Sequence, residues 1–423
     1  MNPLFKFQTR VTSNIILYVS VIMFVTLTCY SLLATNKYTG KHIINAKERN
    51  GHSILVTNGG SIKAAYDLAS PGDTLLVSGG IYKERVKLRK DDITIRCYPR
   101  RTATINGGFE IYGNNIKIEG LNFTNEIVKV WPGRYTIFIQ YGAKGTQITD
   151  NYFFDIPGDA AISADENNTV SDVIIKDNYI YNCTMGIDIH GKNWIVENNE
   201  VERLHNYGYG DSDYSRFHGT GHIIKNNFFH GTDPSEIGKA HVDCFQTFRG
   251  NTSNILIKGN ICYDFHQGVM SEQRDSTDNT NNITLINNIF ANFKKEFIDH
   301  SHGIIVHDSD HYTIKNNTFI NVGVRGILFK DDPNFPFSPD SETVRDNIFY
   351  QVGSPAYHFL RKSHGCIGGY NLLYKSGELL DSLDILQNPM FIDYNTFNFR
   401  PEPNSTACNC SENENYVGAL PCK

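Results

Sequence analysis

One short phrase recurs along most of the chain: an apolar residue, two variable positions, asparagine, one variable position, then an aromatic or aliphatic residue. It reads ITDNYF at Asn151, IKDNYI at Asn178, VENNEV at Asn199, IKNNFF at Asn227 and IKGNIC at Asn260. It continues as INNIF at Asn288, IKNNTF at Asn317 and VRDNIF at Asn347, with IEGLNF assigned to Asn122 and a degenerate GYNLLY at Asn371. Successive copies stand about 21 to about 33 residues apart, most near 28, and such a period marks a solenoid.

The local pattern selects the kind of solenoid. Each repeat holds short alternating apolar segments broken by Asn, Gly and Asp, without helical periodicity. Helical repeats are excluded, and leucine-rich repeats lack their leucine spacing. An all-β fold of stacked coils remains, a parallel β-helix. The recurring Asn is expected to adopt the left-handed backbone of a sharp turn. Its amide is expected to bond the equivalent Asn of the next coil, as a ladder. An open stack needs its ends covered. Ser61 to Ala69 reads as a capping helix with Ile62, Ala65, Leu68 and Ala69 on one side.

Hydrophobic residues make up 40% of the 423-residue chain, ample for a core, and the formal charge is −6. No basic run appears, so nucleic acid is not an expected partner. Residues 15–34 form an uncharged apolar run of about 20 residues, long enough to cross a bilayer. They are read as an uncleaved signal anchor, with a cleaved signal peptide as the alternative. The organisation is then a tail over 1–14, the anchor or signal over 15–34 and a linker over 35–51. The β-helix follows over 52–400, and a cysteine-containing tail over 401–423 closes it.

Asn-x-Ser/Thr sequons at Asn122, Asn167, Asn182, Asn251, Asn282, Asn316, Asn404 and Asn409 suggest a glycoprotein. Cys408, Cys410 and Cys422 look like a disulfide staple, while Cys97, Cys183, Cys244, Cys262 and Cys366 suit single buried thiols or further bridges. The expected location is extracytoplasmic, membrane-anchored or secreted.

The opening GGSIKAAYDLASPGDTLLVSGGIYKERV, followed by ITIRCYPRRTATINGG, resembles the start of pectate-lyase-like proteins. The ending NPMFIDYNTFNFRPEPNSTA and YVGAL at Tyr416 to Leu420 resembles the same group, so the resemblance spans roughly residues 52 to 420. It implies a right-handed parallel β-helix and a polysaccharide groove along one sheet. It does not choose an activity, because one fold hosts many chemistries.

Candidate site residues follow from strand alternation. In GIDIH at Gly186, GVMSE at Gly268, GIIVH at Gly303 and GILFK at Gly326, the second and fourth positions after Gly are expected to face outward. That puts Asp188, His190, Glu272, His307 and Lys330 on the groove. AHVDCFQTFRG adds His241, Asp243, Gln246 and Arg249, and SEQRD adds Arg274 beside Glu272. Tyr207, Tyr209, Tyr214 and Arg216, in the segment His205 to His222, are candidates for stacking on or binding sugars.

The expected partner is a glycan, and the expected reaction is β-elimination on a uronic-acid-containing polymer. Elimination needs a cation on the substrate carboxylate and a base. Arg249, Arg274 and Lys330 are candidate cations, and His241 and Lys330 candidate bases. Asp243 with Glu272 is the candidate Ca²⁺ pair, and no other cofactor is expected. A glycoside hydrolase, a C5-epimerase and a non-catalytic glycan-binding or adhesive rod remain as alternatives. The His-rich DHSHGIIVHDSDH, Asp299 to His311, fits no standard zinc spacing.

Overall fold

The structure, a computed structural model, describes residues 51–125, 134–208, 211–248, 251–272, 280–330, 341–359, 365–411 and 416–422. Each coil runs through three short strands. In one coil these are Ile187–Lys192, Ile195–Glu197 and Glu200–Leu204, after which Ser212–Thr220 begins the next. Pairing between coils is parallel throughout. Among the described residues, 23 strands join one continuous sheet and 13 a second.

The asparagine ladder holds the corner before each strand of the second sheet. Asn178 shows the pattern. Its main-chain N–H donates to Asn199 Oδ1 at 3.1 Å and its Nδ2 to the same oxygen at 2.9 Å. Its Nδ2 also donates to the Ile148 carbonyl at 2.8 Å, while its Oδ1 accepts from Asn151 N and Nδ2. The same pattern carries through Asn199, Asn227, Asn260, Asn288, Asn317 and Asn347 to Asn371. Asp384 ends it by accepting from Asn371 N and Nδ2. Every donor and acceptor of these buried amides is used, which is the condition for placing them in a core.

Two expectations change here. The ladder asparagines are not the left-handed residues; the residue before each one is. Positive φ falls on Asp150, Asp177, Asn198, Asn226, Asn287, Asn316 and Asp346, and on Gly120 and Gly259 at equivalent places. The ladder also does not begin at Asn122. Leu121 occupies that rung and donates its N–H to Asn151 Oδ1 at 3.0 Å. Asn122 pairs in register with Tyr152 and turns its amide outward to the Arg101 carbonyl.

Inward apolar side chains stack on their equivalents, as in Phe290, Phe319 and Phe349, with successive centroids 5.4 and 5.1 Å apart. Gly303 permits this stack to approach the neighbouring strand. A Cβ there would lie 2.7 Å from the Phe319 ring and 2.3 Å from the Gly326 carbonyl.

The helix Ile62–Leu68 is capped by Ser61, whose side chain accepts from Ala64 N. Its buried face is Ile62, Ala65 and Tyr66, with Leu68 exposed instead. Tyr66 displaces Leu68 because its hydroxyl accepts main-chain bonds from Arg89 and Lys90. The C-terminal segment lies along the outside of the second sheet: Ala407 and Val417 pack on Ile348 and Leu372, and Ala419 on Ile289 and Ile320. It covers a face rather than an end.

Disulfides join Cys408 to Cys422 and Cys244 to Cys262, while Cys97 and Cys183 are buried thiols. The second bridge links the strands Val242–Phe248 and Ile261–Tyr263. Among the sequons, Asn182 and Asn316 are buried and donate to Asp155 and to the Tyr416 carbonyl, which leaves no room for a glycan. Residues 15–34 lie outside the described residues, among which no helix is long and apolar enough to cross a membrane.

Removing one rung orphans buried partners on both sides. Asn260→Ala is expected to lower stability to urea by about 1–3 kcal/mol, and Asn122→Ala by less than about 0.5 kcal/mol. Equal losses at the two positions would contradict the ladder's register.

Candidate functional site

Register in the large sheet stacks outward side chains into columns. Asp188, Arg216 and Gln246 are successive members of one column, which then turns apolar through Met270, Ile305 and Leu328. His190 and His218 belong to the adjacent column, which ends in Glu272, His307 and Lys330. Asp213 and Asp243 head a third, followed by Gln267, His302 and Arg325.

Asp188 and Arg216 of the first column and His190 and His218 of the second wall a cleft of about 430 Å³, together with Arg134, Tyr135, Asp159 and Phe248. Asp188 Oδ1 lies 3.0 Å from His190 Nε2, and its Oδ2 accepts from Ser163 Oγ at 2.9 Å. Burial alone would raise the Asp188 carboxyl, but His190, His218 and Arg216 outweigh it and hold it well below the usual range. His190 is raised correspondingly: Asp188 overcomes its burial, so the two form an ion pair. The His190 and His218 rings stack at 4.8 Å.

Arg216 donates Nε to Asp213 Oδ2 at 2.6 Å, and its guanidinium sits 5.2 Å from the Phe248 ring. Its burial is offset by Asp213 and Asp188, so it stays charged. Behind it lie two fully buried carboxyls in adjacent coils, Asp213 and Asp243, the latter accepting from Gln246 Nε2 at 3.1 Å. Burial and mutual repulsion push Asp243 well above the ordinary range, and burial pushes Asp213 up to about 6 against the pull of Arg216. Asp243 therefore keeps its proton, and Asp213 is the member paired with the guanidinium.

His222 fixes this strand from within. Its Nδ1 accepts from Trp194 N at 3.1 Å, so its Nε2–H donates to the His218 carbonyl at 3.0 Å. Burial lowers it to about 4, which keeps the ring neutral and that tautomer in place.

Comparison with solved structures agrees with this architecture. A xylose complex of XylC superposes with a TM-score of 0.58 at 12% identity, over 80% of this chain and 87% of that one. The Dettilon tailspike protein (gp208) gives 0.56 at 13%, over 76% and 67%, and pectate lyase Pel9A 0.54 at 13%, over 89% and 96%. The chain shares the fold of the pectate-lyase-like right-handed parallel β-helix superfamily. No curated protein matches it in sequence.

Within this β-helix, residues 244–375 match the family of periplasmic copper-binding proteins (NosD). Among the described residues of that segment, no three His, Cys, Asp or Glu side chains converge as a metal-ligand set, so those residues do not fit a copper centre.

The β-helix gathers some predicted site residues and separates others. Asp188, His190 and Arg216 line the cleft, with Asp243 and Gln246 just behind. Glu272, His307 and Lys330 follow one another in a single column farther along the groove. Glu272 is in register with Phe248, five positions beyond Asp243. At about 3.3 Å per residue the two carboxylates stand roughly 16 Å apart. That is too far for the two to share a calcium ion.

Other predicted residues stand apart. His241 is exposed, its ring 6.2 Å from that of His266. Tyr214 points into the core, its hydroxyl 2.6 Å from Thr232 Oγ1, because an inward position needs an apolar body there. Tyr207 stacks on His205 at 4.3 Å. Tyr209, Arg249 and Arg274 lie outside the described residues.

Sequence reasoning missed Arg134, Tyr135, Asp159, Asp213 and His218. A signal for His218 was present: SRFH at Ser215 repeats the alternation of IDIH at Ile187, and the two segments pair residue for residue.

The raised buried carboxyls contribute stability that is greatest in acid. A carboxyl that binds its proton more tightly in the native state than in the unfolded chain stabilises below its unfolded value. That contribution fades as pH climbs through the folded value. The pair's contribution to stability in urea is expected to fall from about pH 4 through about pH 6 and beyond, while the neutral His222 contributes in the opposite sense over the same window. The difference in stability between the wild type and Asp243→Asn should therefore shift against the wild type across that window; a difference that does not change with pH would show the pair is not its source.

Proposed function

We propose that the chain cleaves a uronic-acid-containing polysaccharide by β-elimination, with the glycan lying along the outer face of the large sheet. One observation carries the reading. A charged guanidinium, an imidazolium held by a carboxylate and a second imidazole converge in one cleft on that face. Neighbours of the same fold include proteins named as a pectate lyase and as alginate lyases, which supports the glycan class.

The division of labour follows from charge. Arg216, backed by Asp213, is placed to take the substrate carboxylate and stabilise the enolate-like state that forms when the α-proton leaves. His218 is the base that accepts that proton from C5. Tyr135, whose phenol is pushed up to about 12 by burial and then by Asp188 and Asp159, stays protonated and donates to the departing O4. The C5–H and C4–O bonds break, the C4–C5 double bond forms, and the proton taken by His218 returns through solvent to Tyr135. Farther along, the apolar column of Met270, Ile305 and Leu328, bordered by His307 and Lys330, supplies a surface for further sugar rings. Two disulfides support an extracytoplasmic location.

The test is ultraviolet absorbance of unsaturated chain ends while the purified protein meets a panel of uronate polymers. The wild type is expected to generate them. Arg216→Ala and His218→Gln should each lower kcat/KM by about 10²–10³-fold with the fold retained. New reducing ends without that absorbance would replace elimination by hydrolysis, and binding without cleavage would make the chain a glycan-binding rod.

A further inference from the structure

We propose that Asp188, His190 and His218 form a binding site for a divalent late-transition ion such as zinc. Asp188 and His190 come from one strand and His218 faces His190 from the next, and all three are nearly enclosed, at 8%, 7% and 7% exposure. One ligand atom from each lies within 4.8 Å of the other two, with Asp188 Oδ1 and His190 Nε2 3.0 Å apart. Donor atoms about 2 Å from a tetrahedral ion stand roughly 3.4 Å from one another, so small side-chain adjustments close the set.

The surroundings suit such a site. Metal-bound carboxylates and imidazoles are oriented by partners behind them. Here Ser163 Oγ holds the far oxygen of Asp188, and His222 holds the main chain of His218. Three protein donors leave a further coordination position, and the three residues border a cleft that also contains Thr184 and Met185. Binding displaces the proton shared between His190 and Asp188, and two imidazole nitrogens with one carboxylate oxygen then favour zinc or copper(II) over calcium or magnesium.

Among the described residues the other cluster of this kind, Glu200, Glu202 and His230, is half-buried on the second sheet. It is more open than the Asp188 cluster and carries one imidazole instead of two. It serves as the control. A metal bound to His218 occupies the lone pair a base would use, so binding is measured without glycan and is judged independently of the elimination reading.

The experiment takes the purified full-length protein, stripped with chelator, and titrates Zn²⁺ by calorimetry. One equivalent is expected to bind, with His190→Gln and His218→Gln each weakening it by at least ~10-fold and Glu202→Gln leaving it unchanged. Electron paramagnetic resonance of the wild type loaded with Cu²⁺, which requires no variant, should show coupling to two imidazole nitrogens. No stoichiometric binding, binding lost in Glu202→Gln, or a copper spectrum without two nitrogen ligands would overturn the proposal.

Discussion

The amide-to-amide bond between one coil and the next is the constraint on which the rest depends. A solenoid buries a polar corner in every turn, and a buried polar corner is tolerated only when its hydrogen bonds are complete. Asparagine solves this once per coil, because its side chain both donates and accepts in the stacking direction. From Asn178 to Asn371 each rung takes two bonds from the rung before and gives two to the next, until the carboxylate of Asp384 receives the last pair. The ladder thereby fixes where each coil starts. With that start fixed, the phase of every outward column follows.

That phase decides the site. Parallel strands in strict register put Asp188 beside Arg216 and His190 beside His218, although 28 residues separate the members of each pair. The resulting cluster is costly to assemble, because isolated buried charges are strongly disfavoured. It persists because the charges are interleaved: Asp188 with His190, Asp213 with Arg216, and Asp243 neutral behind them. The Cys244–Cys262 bridge and the neutral His222 hold the supporting strands from the core side. Polar groups held this rigidly are already oriented before a ligand arrives, which is the state that electrostatic stabilisation requires.

The fold was legible in the sequence because the period and the rung residue are local signals that repeat. What the repeat did not disclose was fine phase. IEGLNF contains an asparagine one place too late, so Leu121 takes the rung. The left-handed residue is the one preceding each ladder Asn, since the rung itself needs its amide pointed along the stack. The site was less legible for a related reason. Asp243 and Glu272 look like neighbours because their coils are consecutive, but only register distinguishes same-column residues from residues at opposite ends of a strand. Arg134, Tyr135 and Asp159 reach the cleft from earlier coils, with no local motif to mark them.

A cysteine pair across one rung examines this register most directly. Lys225 and Lys258 face each other in adjacent coils, two residues before Asn227 and Asn260. Mild oxidation of Lys225→Cys/Lys258→Cys should join the two positions, as peptide mapping by mass spectrometry would reveal, whereas Lys225→Cys/Ile257→Cys should not cross-link. Efficient bridging of the offset pair, with the matched pair left as thiols, would mean the coils are out of step and the columns described above do not exist.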